Sequence, residues 1–455
     1  MHKNPAARLP LLPALFATTL ATVLPAQEPE ANADRARALE NAVRASSPTA
    51  LGQNLGPAAQ GSGPGSLRLT DLSLDLVTAF GGSTARDDEL GDLQGGGHDP
   101  KQRGFTLQQA ELSLGGAVDP YFTAEAHVIF VLEADTGETV TELEEAFVTS
   151  SGLPYGLQAK AGMFLTEFGR LNPTHPHAWD WQDQPLALTR VFGGDGMRAP
   201  GARLSWLLPT DSYNEALLSV QNANGEQMVS FLANEEVYAE GAIGGRLFAP
   251  EPMRSFADLV TTLRFVHSTD FGDSHSAAIG ASFAFGPNAT GDDGATRIYG
   301  ADFVYKWHPP GGARGWPFFR LQGEFLARDF ETAAQVDEQV PSSPVDLPAT
   351  TLHDLGGYLQ GLWGFAPGWA VGLRGEWATG SGDSYDLGAQ AFDRDDDAQR
   401  CDRLRLSPLL EYLPSEFSRF RLQYNYDDSD ALDDPVHSVW FGVQVLIGKH
   451  PPHKY

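Results

Sequence analysis

From about Leu67 to about Gly448 the chain falls into segments of strictly alternating apolar and polar residues, joined by links that are themselves alternately short and long. The stretch "SRFRLQYNY", Ser418 to Tyr426, shows the first rhythm. Phe420, Leu422, Tyr424 and Tyr426 point one way, and Arg419, Arg421, Gln423 and Asn425 the other. A period of two is a β-strand with two unlike faces. About 16 such segments follow one another, each about ten residues long, the length a tilted transmembrane strand needs. The second rhythm is more telling. "GGSTARDDELGDLQGGGHDPKQR" is followed by "VDP", and later long links alternate with "SGLPY", "TDSY", "DFGDS", "APG" and "PSEF". "PPGGARGW" and the third-to-fourth link blur the pattern without reversing it. A soluble sandwich, whose aromatic face would be its core, has no reason to alternate in this way. Outer-membrane barrels do, with short periplasmic turns and long extracellular loops. The fold class predicted is all-β, an antiparallel transmembrane β-barrel.

In a closed barrel the apolar face meets lipid and the polar face points inward. On this reading Phe319, Leu321, Phe325, Trp369, Val371, Leu373, Trp377, Leu112, Leu114, Val128, Phe130, Phe420 and Tyr424 face out. The predicted pore-lining residues are Glu111, Glu125, Lys160, Arg203, Arg320, Glu324, Arg374, Glu376, Arg403, Arg405, Arg419 and Arg421. A barrel of this strand number is expected to enclose water rather than a packed core. Arginines and carboxylates on one wall sort ions at a narrow point; paired across neighbouring strands they instead hold register. Both readings stay open.

The formal charge is −28, from 59 acids against 31 bases, which argues against nucleic acid and anionic lipid surfaces as partners. The acids concentrate in links such as "DDELGD", "NEEVYAE", "DRDDD" and "DDSDALDD". They suit either divalent-cation bridges to lipopolysaccharide or a merely solvated surface. The start reads as a secretory signal peptide over residues 1–26: Lys3 and Arg8, then an apolar run, then Ala26. Residues 27–66 read as a short helix and a Gly/Pro/Ser-rich linker, and 67–455 as the barrel. The single cysteine, Cys401, rules out a disulfide framework. The expected location is the outer membrane of a Gram-negative bacterium, among its lipid and lipopolysaccharide.

The segment "ELEEAFVTSSGLPYGLQAKAGMFLTEFGRLNPTHPHAWDWQDQPLALTRVFGGDGMRAPGARLSWLLP", Glu142 to Pro209, and the terminal "HKY" resemble the phosphate-selective porin-like proteins, especially the branch often labelled zinc-regulated or TonB-dependent outer-membrane receptors. The resemblance implies a 16-stranded barrel, often a homotrimer, whose loop 171–193 folds into the pore. A plugged TonB-type transporter needs about 22 strands and a globular plug, for which this chain has no room before its first strand. The loop offers His175, His177, Asp180 and Asp183, a loose pattern for zinc. A constriction loop held to the wall by Trp179 and Trp181 is the reading adopted, and no metal or other cofactor is assigned. No nucleophile with a placed base is found, so no enzyme is expected. The function expected is a water-filled porin for passive diffusion of small polar or anionic solutes. The alternative is a gated or substrate-specific uptake channel for phosphate-like anions or metal ions; a tether acting through the N-terminal helix is a further class.

Overall fold

In a computed structural model the alternating segments are sixteen strands of one closed antiparallel barrel. They are β1 (Arg68–Ser83), β2 (Gly104–Ala117), β3 (Phe122–Leu132), β4 (Thr139–Ser150), β5 (Leu157–Leu165), β6 (Arg198–Leu207), β7 (Tyr213–Asn222), β8 (Leu259–Phe271), β9 (His275–Pro287), β10 (Ala295–Trp307), β11 (Phe318–Thr332), β12 (Thr350–Ala366), β13 (Trp369–Ser381), β14 (Arg403–Ser415), β15 (Ser418–Ser429) and β16 (Val436–Gly448). Each pairs with its chain neighbours, and β1 closes the ring on β16, from Ser73 opposite Gly448 to Ser83 opposite Ser438. Closure leaves no unpaired strand edge, the condition for a sheet in hydrocarbon. The structure describes residues 68–132, 137–241, 243–312, 315–337, 344–382, 385–386 and 391–448. The expected leader of 1–26, the expected helix and linker of 27–66, and the chain end with its "HKY" lie outside the described residues.

The barrel inverts the burial rule of a soluble protein. Along β14, Leu404 is 51% exposed and Arg405 only 1%, and Leu406 is exposed while Ser407 is buried. The same alternation leaves Leu359, Trp363, Leu373, Leu422, Val439 and Phe441 exposed around the outside. A row of aromatic rings crosses β13 to β16 near the short-turn rim. Trp369 stacks on Tyr412 at 4.5 Å, Tyr412 lies 6.3 Å from Phe420, and Phe420 lies 6.2 Å from Phe441. Such a row is the girdle expected where hydrocarbon meets water.

The interior departs from the expected water-filled lumen. Three long links turn inward and pack. The β1–β2 link carries α1 (Asp87–Leu93), whose Leu90 and Leu93 lie against Val436 and Trp440. The β5–β6 link carries α2 (Leu186–Phe192), and the β7–β8 link carries α3 (Glu235–Gly241). Phe168, Leu188, Val191 and Phe192 of the second link and Met228, Phe231 and Leu232 of the third form a hydrophobic core with Val260, Ile298 and Leu326 of the wall. A wide ring encloses water only if its own loops stay outside. Here the loops carry enough apolar surface for burial at the usual ~25 cal/mol per Å² to draw them in.

Candidate functional site

The link from Thr166 to Met197 crosses the barrel, and its two ends meet at a neck. Thr166 N–H donates to the Met197 carbonyl at 2.8 Å, and the Asn172 amide donates to both the Thr166 and Met197 carbonyls. From this neck between β5 and β6 the chain passes β9, where the Gly169 N–H donates to Ser282 Oγ at 3.1 Å, and reaches β11. Glu324 accepts the backbone N–H groups of Arg170 and Leu171 at 2.7 and 2.8 Å, and the Tyr358 hydroxyl donates to the same carboxylate. The wall makes room by lacking side chains where the loop comes closest. A Cβ on Gly300 would lie 2.4 Å from the Phe168 ring, and one on Gly442 would lie 2.0 Å from the Gln182 side-chain oxygen.

The predicted loop residues divide between two walls. His175 lies 2.8 Å from Glu144 and 2.9 Å from Glu145, and His177 lies 2.9 Å from Glu111. Asp180 instead pairs with Arg320 of β11, accepts from Gln360 of β12 at 3.2 Å and lies 3.6 Å from Arg419 of β15. Trp181 donates from its indole to the Ser407 carbonyl at 2.9 Å and packs on Leu362, Ala370 and Leu409. Asp183 reaches the wall opposite the neck, where it pairs with Arg374, accepts from Gln423 at 2.8 Å and Asn425 at 2.6 Å, and lies 3.4 Å from Arg405. Burial alone would raise the Asp183 carboxyl, but Arg374 and Arg405 hold it below the ordinary carboxylate range. Trp179 is buried in the hydrophobic core, with its indole N–H directed to Thr174. The grouping of His175 and His177 with Asp180 and Asp183 as one zinc-like set is thus undone: the two histidines meet carboxylates and the two aspartates meet guanidinium groups.

Water reaches few of the inward charges. Arg374, Glu376, Arg405 and Arg421 are about as dry as core residues, at 1% exposure each. Arg421 donates to the backbone carbonyls of Trp179, Asp180 and Trp181, and Arg419 to that of Trp179. These arginines face inward, but loop carbonyls stand where water was expected. Glu376 accepts the Leu186 N–H, Arg403 and Arg405 share Asp427, and Arg403 also donates to the Leu93 carbonyl. Lys160 and Arg203 both pair with Glu167, and Lys160 lies over the Phe147 ring at 4.3 Å. Glu125 is half-buried beside Asp71 across Gly115. The wetter inward charges are Arg320, 24% exposed, and Arg419, 14% exposed, with Arg170 and Lys306 half-buried beside Arg320.

Sequence reading missed Glu144 and Glu145. Strict alternation turns adjacent residues to opposite faces, yet both carboxylates are buried on the inside. The cause is a β-bulge: His127 pairs with Glu145 and Val128 with Leu143, leaving Glu144 extra. Bulges re-aim side chains in this way. The only signal in the sequence was the doubled "EE" within a β-segment. Asp99, from the first link, was also missed. It accepts the Gly96 and Gln184 N–H groups, and burial together with neighbouring Asp183 pushes its carboxyl up to about 6.

No family model matches the chain. Among solved structures it is similar to an anion-selective porin from Comamonas acidovorans, at 12% identity and a TM-score of 0.46, covering 83% of this chain and 98% of that one. It is similar to the outer membrane channel DcaP of Acinetobacter baumannii at 11% identity and a TM-score of 0.48, covering 83% and 96%. It is also similar to Pseudomonas putida OprB at 11% identity and a TM-score of 0.48, covering 83% and 94%. An uncharacterised protein of Aquifex aeolicus (strain VF5) is 31% identical over 418 residues, which are 85% of this chain and 80% of that protein. With that identity over most of both lengths, the chain belongs to the same family as the Aquifex aeolicus protein.

Proposed function

We propose that the protein is an outer-membrane channel for small polar or anionic solutes, and that the inward loop governs its passage. The apolar exterior and the closed ring support the membrane location, since such a surface is stable only in hydrocarbon. The single observation that carries the channel reading is the loop latched across the lumen by reversible polar contacts, Asp180 and Asp183 to Arg320, Arg374 and Arg405. This favours the gated form of the channel over a permanently open pore. Lys306, Arg320 and Arg419 of the wall, with Arg170 of the loop itself, form a basic cluster around Asp180, which favours anions. Phosphate-like anions are the narrower candidates.

The test is the current of the purified protein in a planar bilayer under a salt gradient. Anion-selective steps are expected. Arg320→Ala with Lys306→Ala should move the reversal potential toward cations. No conductance from folded protein, native or with Asp183 replaced, would remove the channel reading.

A further inference from the structure

We propose that the inner wall of β2, β3 and β4, together with the inward loop, binds a divalent transition-metal ion such as zinc, with Glu111, His127 and His175 as ligands. One donor atom from each lies within 4.8 Å of the other two. The His127 Nδ1 is 2.9 Å from Glu111 Oε1, and the His175 Nδ1 is 3.4 Å from Glu111 Oε2. A tetrahedral zinc with bonds of about 2.0–2.1 Å spaces its donors about 3.3 Å apart, so small side-chain adjustments admit the ion.

The surroundings of the three groups match what a metal site needs. Glu145 Oε2 lies 2.9 Å from His175 Nε2, behind the imidazole as seen from the other ligands. A carboxylate there fixes the tautomer that leaves Nδ1 free to bind metal. A fourth donor is at hand in either Glu144, 2.8 Å from His175 Nδ1, or His177, whose Nδ1 is 2.9 Å from Glu111. Imidazole donors beside carboxylates select zinc-like ions over magnesium or calcium, which prefer all-oxygen shells. His127 and His175 also keep 13% and 12% of their side-chain surface exposed, more than Arg374 and Arg405 at the Asp183 end of the loop. The β4 bulge is the structural device that assembles the site, because it turns Glu144 and Glu145 to the same side. The inference does not depend on transport, since a bound ion is measurable on the folded protein alone.

The rival account is a metal-free cluster of charge-assisted hydrogen bonds that only fastens the loop. Cobalt(II) added to the full-length protein folded in detergent separates the two. One cobalt per chain is expected, with visible absorption of tetrahedral strength, displaced by zinc and unaffected by excess magnesium. His127→Ala removes a ligand that sits on a wall strand, leaving every loop residue in place, and should abolish the absorption; Glu145→Gln should weaken binding about 10–100-fold. Replacing His450 and His453 near the chain end should change nothing. Heat-modifiable gel mobility shows that each variant is folded. Absence of saturable binding to the folded native protein, or native affinity retained in His127→Ala, overturns the proposal and leaves the hydrogen-bonded cluster.

Discussion

Replacing Asp183 by alanine should unlatch the loop without disturbing the barrel. Asp183 receives Arg374, Gln423 and Asn425 and faces Arg405 at 3.4 Å, and all of these partners are buried. Breaking a buried ion pair by removing one partner costs about 3–5 kcal/mol. The lower end applies here, because Arg374 keeps Glu376 at 2.7 Å and Arg405 keeps Asp427 at 2.8 Å. A cost of about 3 kcal/mol lowers the ratio of docked to undocked loop roughly 100-fold, at about 1.4 kcal/mol per factor of ten. The strand ladders do not pass through Asp183, so closure and heat-modifiable mobility should persist. In single-channel recordings the frequency of large openings should rise by about that factor, and trypsin should gain access to Arg190, buried in the docked loop. Unchanged openings together with unchanged cleavage would show that Asp183 is not the latch, and the reasoning would fail.

Glu324→Ala removes the acceptor of two backbone amides at the first bend of the loop and should cost about 1–3 kcal/mol for each amide left dry, read as earlier proteolysis of the loop. The pH dependence should be two-sided. Asp99, with its carboxyl pushed up to about 6, binds a proton in the fold before it would in the unfolded chain, so its contribution to stability grows as pH falls from about 6 toward 4. Asp183, held low by Arg374 and Arg405, contributes throughout that window and loses its contribution only below the ordinary carboxylate range. Asp99→Asn should therefore flatten the rise in thermal midpoint between pH 7 and about pH 4.5, while the native protein keeps it. On the outer face, Leu406→Arg, between the aromatic row at Tyr412 and the loop end of β14 at Arg403, should destabilise the barrel by about 2–4 kcal/mol in lipid vesicles, measured by urea unfolding, and Leu404→Arg, at the rim, by at most about 1 kcal/mol.

The wall was legible in the sequence because hydrocarbon imposes period two on every strand. Leu404 and Leu406 must face out, so Arg403 and Arg405 must face in, whatever they then touch. The alternating link lengths followed from the same geometry. What Arg405 touches was not legible, since its partners Asp427 and Asp183 and the Leu93 carbonyl come from three distant parts of the chain. Dryness was not legible either. It depends on loops turning inward, and their apolar residues, such as Val191, Met228 and Phe231, follow no simple period. The His175 cluster was half legible: the histidines stood out, but the bulge that brings Glu144 and Glu145 to them leaves no period to read.

Much of the fastening also escapes side-chain complementarity, and this has a consequence for which changes the loop tolerates. Arg421 and Arg419 grip the backbone carbonyls of Trp179, Asp180 and Trp181, contacts that any residue at those positions provides. The Trp181 indole in turn holds the Ser407 carbonyl, and Gln182 holds that of Trp440. The loop path between Trp179 and Gln182 is therefore set from both sides, by wall arginines that hold its backbone and by the side chains of Asp180, Trp181 and Gln182 that reach the wall. Asp183 is different, because its contacts all run through its carboxylate and its carbonyl oxygen, and four wall side chains converge there. Substitutions at Trp179 should thus cost mainly core packing, about 3–5 kcal/mol for a Trp to Ala change, spread over the hydrophobic core. A smaller change of volume, or of charge alone, at Asp183 should open the lumen. That contrast, loss of stability without opening at one position and opening without collapse at the other, separates a plug that merely fills the barrel from a latch that closes it.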